Sequence, residues 1–369
     1  MVTIDNIREE VIQKYDFKGE LIDYKEYGNG HINDTILIQF RQEDGSVTKY
    51  VLQRINTHIF TKPIELMENI VNVTEFLKDK IEKRGGNPKR ETLNVIATKE
   101  GNSFLVDSDG DYWRVYDFID DAISYDMVET PDDFYQSAVA FGNFQNLLAD
   151  YPAHTLHETI EGFHDTKKRF KTFKETVARD ASGRASEVQK EIDFVLSRED
   201  LANYFTDMQE RGELPLRVTH NDTKLNNVMI DNETKTGICV VDLDTVMPGL
   251  AMNDYGDSIR FGASSAAEDE KDLDKVYMDL ELFEVYTKGF IEALDGSLTD
   301  IEIDHLPMGA KMMTYECGLR FLADHIDGDN YFKISREGHN LDRARTQFKL
   351  VEDMESKWEQ MKEIVNKYR

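Results

Sequence analysis

The chain has 369 residues, of which 40% are hydrophobic and 10% aromatic, and this indicates a globular protein long enough for two lobes with separate cores. Asp and Glu number 72 against 44 Lys and Arg, which gives a formal charge of −28. Nucleic acid and anionic membranes carry negative charge themselves, so this balance argues against either as a partner. Membrane insertion is not expected, because no apolar run approaches the ~20 residues that span a bilayer.

Cysteine content and the N-terminal residues bear on the cellular compartment. Cys239 and Cys317 are the only cysteines, so a disulfide framework is not expected and a reducing compartment is favoured. The first 15 residues mix charges and lack the basic and apolar regions of a signal peptide. We predict a cytoplasmic protein, acting as a monomer or a weak dimer.

Hydrophobic periodicity divides the chain into an N-terminal part rich in strands and a helical remainder. A short helix is predicted over residues 5–15, strands over 21–27, 32–40, 47–55, 92–97, 104–107 and 112–119, and a helix over 63–81. Further helices are predicted over 130–150, 164–180, 185–211, 268–294, 311–326 and 340–369. The pattern predicts an α+β fold with an antiparallel-sheet lobe over residues 1–117 and a mainly helical lobe over 118–369.

Residues 216–249, LRVTHNDTKLNNVMIDNETKTGICVVDLDTVMPG, combine apolar strands with a dense group of carboxylates and amides. Apolar runs at 228–230 and 238–241 flank the polar turn 232–237, which predicts a β-hairpin. His220, Asp222 and Asn227 therefore lie on the loop that enters the hairpin. Asp242 and Asp244 lie where the hairpin ends.

This spacing suits phosphoryl transfer. That reaction needs a carboxylate to accept the proton of the attacking hydroxyl, and oxygen ligands to hold Mg²⁺ on the nucleotide phosphates. The order HxDxxxxN, then a hairpin ending in DxD, matches the catalytic-loop order of kinases. Asp222 is then the candidate base, Asn227 and Asp242 the candidate Mg²⁺ ligands, and Asp244 a further one. The alternative is that these are ordinary polar loop residues.

Seven segments occur in one order over nearly the whole chain: YGNGHIND (27–34), YVLQRIN (50–56), WRVYDFI (113–119), LRVTHNDTKLNNV (216–228), VVDLDTVMPG (240–249), DYGDSIRFGA (254–263) and ECGLRFLADHIDGDNYF (316–332). With them the chain resembles the aminoglycoside phosphotransferase and choline kinase-like superfamily, small-molecule kinases that share the protein-kinase fold. Within it, the chain is most similar to the N-acetylhexosamine 1-kinases. The resemblance implies a kinase-like two-lobe fold, ATP and Mg²⁺ as cofactors, and phosphorylation of the anomeric hydroxyl of N-acetylglucosamine or N-acetylgalactosamine.

The resemblance also implies the remaining site residues. These are Gly28, Gly30, Gln53, Tyr116 and Phe118 for ATP; His31, Phe261, Arg320 and Tyr331, beside Asp222, for the sugar; and His220 and Asp254 as supports of the catalytic loop. The residues alone leave two of these assignments open. Gly28-Asn-Gly30 is also a plain hairpin turn, and Glu316, Arg320 and Asp324, at i, i+4 and i+8, also fit a surface salt-bridge ladder.

One position departs from the kinase pattern. Kinases of this fold place a Lys on the third strand to pair with the nucleotide phosphates, whereas this chain has Gln53 there, with Arg54 on the opposite strand face. The missing Lys keeps a second class of function open, a catalytically inactive nucleotide-binding regulator. Within enzymes, the alternative is a kinase for another hexose, an amino alcohol or an aminoglycoside.

Overall fold

The computed structural model describes residues 7–28 and 32–369. The strands are β1 (Glu20–Glu26), β2 (Asp34–Arg41), β3 (Val47–Arg54), β4 (Leu105–Val106), β5 (Tyr112–Asp117), β6 (Ala122–Ile123), β7 (Arg217–Thr219), β8 (Val228–Asp231), β9 (Gly237–Val240) and β10 (Met247–Gly249). The α-helices are α1 (Pro63–Lys83), α2 (Pro88–Glu91), α3 (Pro131–Leu147), α4 (Thr166–Arg179), α5 (Gln189–Leu196), α6 (Glu199–Glu210), α7 (Ala251–Gly262), α8 (Leu280–Leu294), α9 (Asp300–Asp304), α10 (Leu306–Asp327), α11 (His339–Ser356) and α12 (Trp358–Tyr368). Within these described ranges, no helix has the length and apolarity needed to cross a bilayer.

Contacts divide the chain into two compact units, neither of which is continuous in sequence. The first takes in the described residues up to Ile123, together with Thr155–Ile160 and Met229–Met247, and the second comprises Ser124–His154, Glu161–Val228 and Pro248–Arg369. The hairpin of β8 and β9 therefore belongs mainly to the first unit, and the loop that leads into it belongs to the second. The lobe boundary after residue 117 stays a prediction.

The first unit contains an antiparallel sheet with the strand order β1-β2-β3-β5-β4. One face packs Ile38, Leu52 and Val115 against the N-terminal turns that carry Val11 and Tyr15. Because side chains alternate along a strand, residue 53 lies on the other face, and its neighbours in register are Thr35 on β2 and Arg114 on β5. The predicted antiparallel N-terminal sheet and helical remainder are confirmed.

The strand predicted over 92–97 is wrong. Only an isolated bridge joins Val95 to Tyr116 in this segment. The Asn94 amide donates to the carbonyls of Pro88 and Thr92, so a local side-chain bond holds the chain in a bend instead of an extended ladder.

In the second unit, the crossing of α7 and α10 depends on glycine. A Cβ on Gly256 would lie 2.2 Å from the Gly309 carbonyl oxygen, and a Cβ on Gly309 would lie 2.2 Å from that of Met252. Only residues without side chains allow this approach of the two backbones. The crossing matters for the site, because α7 carries Asp254 and Asp257 and α10 carries Glu316 and Arg320.

Three predicted helices are shorter or interrupted in the structure. The helix predicted over 185–211 is broken at Ser197–Arg198, where the Ser197 hydroxyl donates to the Phe194 carbonyl. The helix predicted over 268–294 begins only at Leu280, because the Asp279 side chain accepts the N–H groups of residues 281 and 282 and so caps it there. The helix predicted over 340–369 is interrupted at Lys357, between α11 and α12.

Candidate active site

The loop that follows β7 is held by the first turn of α7. The Asp254 carboxylate is 1% exposed and accepts the N–H groups of His220 (2.8 Å) and Asn221 (2.7 Å) and the amide of Gln145 (2.7 Å). Burial raises the pKa of Asp254, while His220 and the N–H donors act in the opposite direction. Asn221 has φ +64°, a left-handed conformation that Asn tolerates better than most residues.

Thr223, on the other side of Asp222, is held by the same helix. Its hydroxyl donates to the Asp254 carbonyl (2.6 Å), its N–H donates to Asp257 (3.2 Å), and its carbonyl accepts the Ser258 hydroxyl (2.7 Å). The backbone of Asp222 is therefore fixed on both sides. Its side chain nevertheless remains 28% exposed, so a fixed carboxylate is accessible from solvent.

The Asp222 carboxylate has two partners from its own loop. Lys224 Nζ lies 2.6 Å from Oδ1, and the Asn227 amide nitrogen donates to Oδ2 (3.2 Å) and to the Asp222 carbonyl (2.8 Å). Burial acts to lower the pKa of Lys224, but Asp222 outweighs it and the pKa is raised. Lys224 was not among the predicted site residues, and its only signal in the sequence is its place two residues after Asp222.

His220 occupies an apolar pocket beneath this loop. Its side chain is buried, with the rings of Phe141 and Phe144 edge-on at 5.5 and 6.1 Å. Its Nδ1 accepts the N–H of Asp222 at 3.3 Å. The structure thus places His220 and Asp254 in direct contact with the candidate catalytic loop.

In the first unit, Asp242 and Asp244 follow β9 and differ in environment. Asp242 is exposed and has a left-handed backbone, with φ +61° and ψ +57°. Asp244 is buried, with Oδ1 2.5 Å from Nη1 of Arg114 and Oδ2 accepting the Asn33 amide at 2.6 Å. Each carboxylate oxygen has a second lone pair, so these contacts do not exclude Asp244 from a metal site.

The sheet face beside this segment carries Gln53. Its amide nitrogen donates to Thr35 Oγ1 (3.0 Å), and its carbonyl oxygen accepts Nε (3.0 Å) and Nη2 (2.9 Å) of Arg114. Arg54 points to the opposite face and pairs with Asp34 and Asp111. Arg114 is 1% exposed and was not predicted, because nothing in its local sequence distinguishes it from a surface Arg.

Three of the other residues predicted to contact ATP lie in the described part of the chain. Gly28 has φ +78° and open space where a Cβ would be, whereas Gly30 and His31 lie outside the described residues. Tyr116 is buried, with the Arg114 guanidinium 5.3 Å from its ring centre. Phe118 packs edge-on against Tyr27, with ring centres 5.6 Å apart.

A second polar group of the second unit centres on Glu316, which is 1% exposed. Its carboxylate accepts Nδ1 of His164 (3.0 Å) and the Thr166 hydroxyl (2.6 Å), and Nε of Arg169 lies 3.4 Å away. Burial would raise the pKa of Glu316, but His164, Arg169 and Arg320 outweigh it and lower the pKa to about 2. Nε2 of His164 is buried without a hydrogen-bond partner among the residues that the structure describes.

The salt-bridge ladder that the spacing of Glu316, Arg320 and Asp324 allowed is wrong. In the described part of the chain Arg320 has no ion-pair partner within 4.0 Å, and its guanidinium lies over the rings of Tyr331 (5.8 Å) and Phe332 (5.3 Å). Asp324 instead accepts backbone N–H groups of residues 330–332. Of the other predicted sugar contacts, Tyr331 is 74% exposed and Phe261, on α7, is 37% exposed.

The donor atoms suit a hard cation completed by phosphate and water. Among the described residues, no three His, Cys, Asp or Glu side chains form a metal cluster by themselves. The Asn227 amide nitrogen is committed to Asp222, which leaves its carbonyl oxygen as the free donor. That oxygen and the exposed Asp242 carboxylate are of the kind that Mg²⁺ prefers, together with substrate phosphates.

Comparison with known proteins adds a family and a fold. Residues 23–280 match the phosphotransferase enzyme family. The fold is similar to an aminoglycoside phosphotransferase from Alicyclobacillus acidocaldarius (12% identity, 97% of this chain and 96% of that one, TM-score 0.59) and to a choline kinase from Cryptosporidium parvum (14%, 94% and 93%, 0.53). It is also similar to a spectinomycin phosphotransferase in complex with ADP and its substrate (13%, 95% and 97%, 0.57).

Proposed function

Because this chain belongs to the phosphotransferase enzyme family, we propose that it transfers the γ-phosphate of ATP to the anomeric hydroxyl of N-acetylglucosamine or N-acetylgalactosamine. Family membership makes the chain an ATP-dependent small-molecule phosphotransferase. The acceptor, the use of Mg²⁺ and the residue roles are the proposed part. The observation that carries the proposal is the partly exposed Asp222 carboxylate on a loop that α7 holds on both sides.

Asp222 accepts the proton of the acceptor hydroxyl as its oxygen bonds to the γ-phosphorus and the bond to the bridging oxygen breaks, which releases ADP. Lys224 and Asn227 hold the carboxylate in place for this step. From the sequence pattern, Asn227 and Asp242 are proposed as Mg²⁺ ligands, with Asp244 as a further one, and the ion would neutralise charge on the phosphates. Most of the rate enhancement then comes from positioning and charge stabilisation.

Acceptor recognition is assigned to Arg320 and Tyr331, with Phe261. The Arg320 guanidinium lies over aromatic rings and has no carboxylate within 4.0 Å among residues 7–28 and 32–369, so it is available to donate hydrogen bonds to sugar hydroxyls or to the acetamide carbonyl. His31 is retained as a proposed sugar contact from the sequence resemblance alone. The ATP contacts proposed for Gly28, Gly30, Gln53, Tyr116 and Phe118 rest on the same resemblance.

A cationic acceptor, such as an aminoglycoside or an amino alcohol, is the second candidate. The overall charge of −28 favours it, because an acidic protein attracts cations. The local charges favour a neutral sugar, because burial and the nearby Arg320 lower the pKa of Arg169 and two guanidinium groups would repel a cation. An inactive regulator would have no need of an exposed carboxylate held in this way.

The test is a screen of the purified protein with ATP and Mg²⁺ against N-acetylglucosamine, N-acetylgalactosamine, glucose, galactose, choline, ethanolamine and kanamycin. We expect turnover with the N-acetylhexosamines and a product with phosphorus on the anomeric oxygen, identified by ³¹P NMR. Replacing Mg²⁺ with EDTA should abolish turnover. Faster phosphorylation of a cationic compound would transfer the assignment to the second candidate, and no magnesium-dependent turnover with any acceptor would contradict the proposal.

A further inference from the structure

A buried cation in the first unit lies beside the strand position where the kinase pattern has lysine. Arg114 and Gln53 are direct partners in register on β5 and β3, so their side chains lie together on one sheet face. Gln53 directs its carbonyl oxygen to Arg114 and its amide nitrogen to Thr35. The amide at the lysine position therefore orients the guanidinium of the next strand.

The same guanidinium reaches the segment that follows β9. Arg114 Nη1 lies 2.5 Å from the Asp244 carboxylate, and these side chains are 1% and 4% exposed. A guanidinium group is not deprotonated in proteins, so Arg114 keeps its positive charge at this buried position. It neutralises the buried Asp244, whereas Asp242, the other carboxylate of this segment, is exposed.

Arg54, beside Gln53 on β3, and Glu68 of α1 are each held by other partners. Arg54 is occupied by Asp34 and Asp111 on the opposite face. The exposed Glu68 of α1 pairs with His157, and the neighbouring Asn69 joins α1 to the segment through the Val246 carbonyl (3.0 Å). The buried ion pair beside Gln53 is therefore that of Arg114 and Asp244.

We infer that Arg114 supplies, from β5, the positive charge that kinases of this fold place on β3, and that it acts as a positioning residue through Asp244. It fixes the segment that carries Asp242 and lowers the negative charge that the nucleotide phosphates meet. This inference rests on the proposed function only for its ATP site, because it makes no assumption about the acceptor.

The test compares four variants by calorimetric Mg·ATP affinity and thermal stability, without acceptor. Arg114→Gln should weaken nucleotide binding by ~10-fold or more, the effect of losing one close charge, and should lower Tm because Asp244 is left buried and unpaired. The neutral pair Arg114→Gln/Asp244→Asn should recover Tm, which separates the loss of stability from the loss of nucleotide affinity. Gln53→Lys/Arg114→Gln, which returns the charge to β3, should recover affinity to within ~3-fold of wild type.

Arg54→Gln, with the same charge change on the opposite face, is the matched control and should leave affinity unchanged.

Each contrary result overturns the inference. Wild-type affinity for Mg·ATP in Arg114→Gln would show that the charge is not needed. If that variant does not fold, the inference is tested with the two double variants. Recovery of both Tm and affinity in the neutral pair would assign Arg114 a purely structural role, and no recovery in Gln53→Lys/Arg114→Gln would exclude a charge function. If the wild type binds Mg·ATP but phosphorylates no sugar, the acceptor assignment fails and this inference stands. If it binds no nucleotide, both fail.

Discussion

Asp222 combines a fixed backbone with an accessible carboxylate, and its chemistry can be separated from its contribution to structure. Asp222→Asn keeps the shape of the side chain and the contact with Asn227 but cannot accept a proton. We predict a fall in kcat of ~10²-fold or more, the usual contribution of a general base, with Mg·ATP affinity nearly unchanged. Steady-state kinetics and calorimetry measure the two quantities. A variant that keeps more than a tenth of wild-type kcat would remove Asp222 from the role.

Asp242 has a left-handed backbone, so the choice of substitution matters. Asn tolerates this conformation while Ala is strained in it, and Asp242→Asn therefore removes the charge without disturbing the turn. If Asp242 holds Mg²⁺ on the phosphates, this variant should bind Mg·ATP at least ~10-fold more weakly, because an anionic ligand is lost. Calorimetry at saturating and limiting Mg²⁺ would measure it. Unchanged affinity at both concentrations would contradict the metal assignment.

A salt-bridge role for Arg320 is excluded, because among the described residues it forms no ion pair with Glu316 or Asp324 and lies over aromatic rings instead. Arg320→Ala should raise the KM for the N-acetylhexosamine at least ~5-fold, the equivalent of about 1 kcal/mol of lost contact, with the KM for ATP barely altered. Arg179→Ala, which removes an exposed pair with Asp327 on the same unit, is the control and should change neither. A lower Tm with an unchanged sugar KM would exclude Arg320 from the sugar site.

At the scale of elements, the buried carboxylate of Glu316 links α10 to the start of α4. Glu316 of α10 accepts His164 and Thr166 at the start of α4. Its pKa is about 2 in the fold, below its ordinary value of 4.5. A carboxylate with a depressed folded pKa stabilises the fold above its unfolded pKa, and this stabilisation is lost as pH falls from about 4.5 towards about 2.

Glu316→Gln should therefore lower the free energy of unfolding at pH 7 by on the order of 3 kcal/mol. The difference from wild type should shrink as pH falls below about 5, where wild-type Glu316 begins to lose its advantage. Urea unfolding followed by circular dichroism at each pH measures this. Glu68→Gln, at an exposed pair with His157, should cost less than about 1 kcal/mol. A difference that grows at low pH would have the wrong sign for this account.

At the scale of the whole molecule, the formal charge of −28 makes self-repulsion a general destabilising force. Salt screens such repulsion, since the Debye length falls from about 30 Å at 0.01 M to about 8 Å at 0.15 M ionic strength. We predict that Tm at pH 7 rises by a few degrees over this range. Near pH 4.7, the pI expected from the sequence, the rise should vanish. Scanning calorimetry measures both, and a Tm that falls with salt at pH 7 would show that attractive ion pairs dominate.

The sequence by itself determined the features that depend on local interactions. The hairpin of β8 and β9 and the sheet strands follow from periodicity and turn residues. The start of α3 follows from the capping box of Thr130 and Asp133, with Pro131 in the first turn. These depend on contacts over a few residues, where the type and spacing of side chains decide the outcome. The same holds for the order of His220, Asp222 and Asn227 on one loop. Where side chains capped or bent the chain, as Asp279 and Asn94 do, periodicity alone misplaced the element.

Only the tertiary structure decided which distant charges meet. Spacing put Glu316, Arg320 and Asp324 on one helix face, but the partners of Glu316 come from α4 and the segment before it. In the same way, nothing near Arg114 in the sequence indicates Asp244. A buried charge is stable only where packing brings a partner within reach, and packing is set by the whole fold. Local sequence patterns therefore cannot predict pairs that are far apart in sequence, such as the arginine–aspartate pair at the proposed nucleotide site.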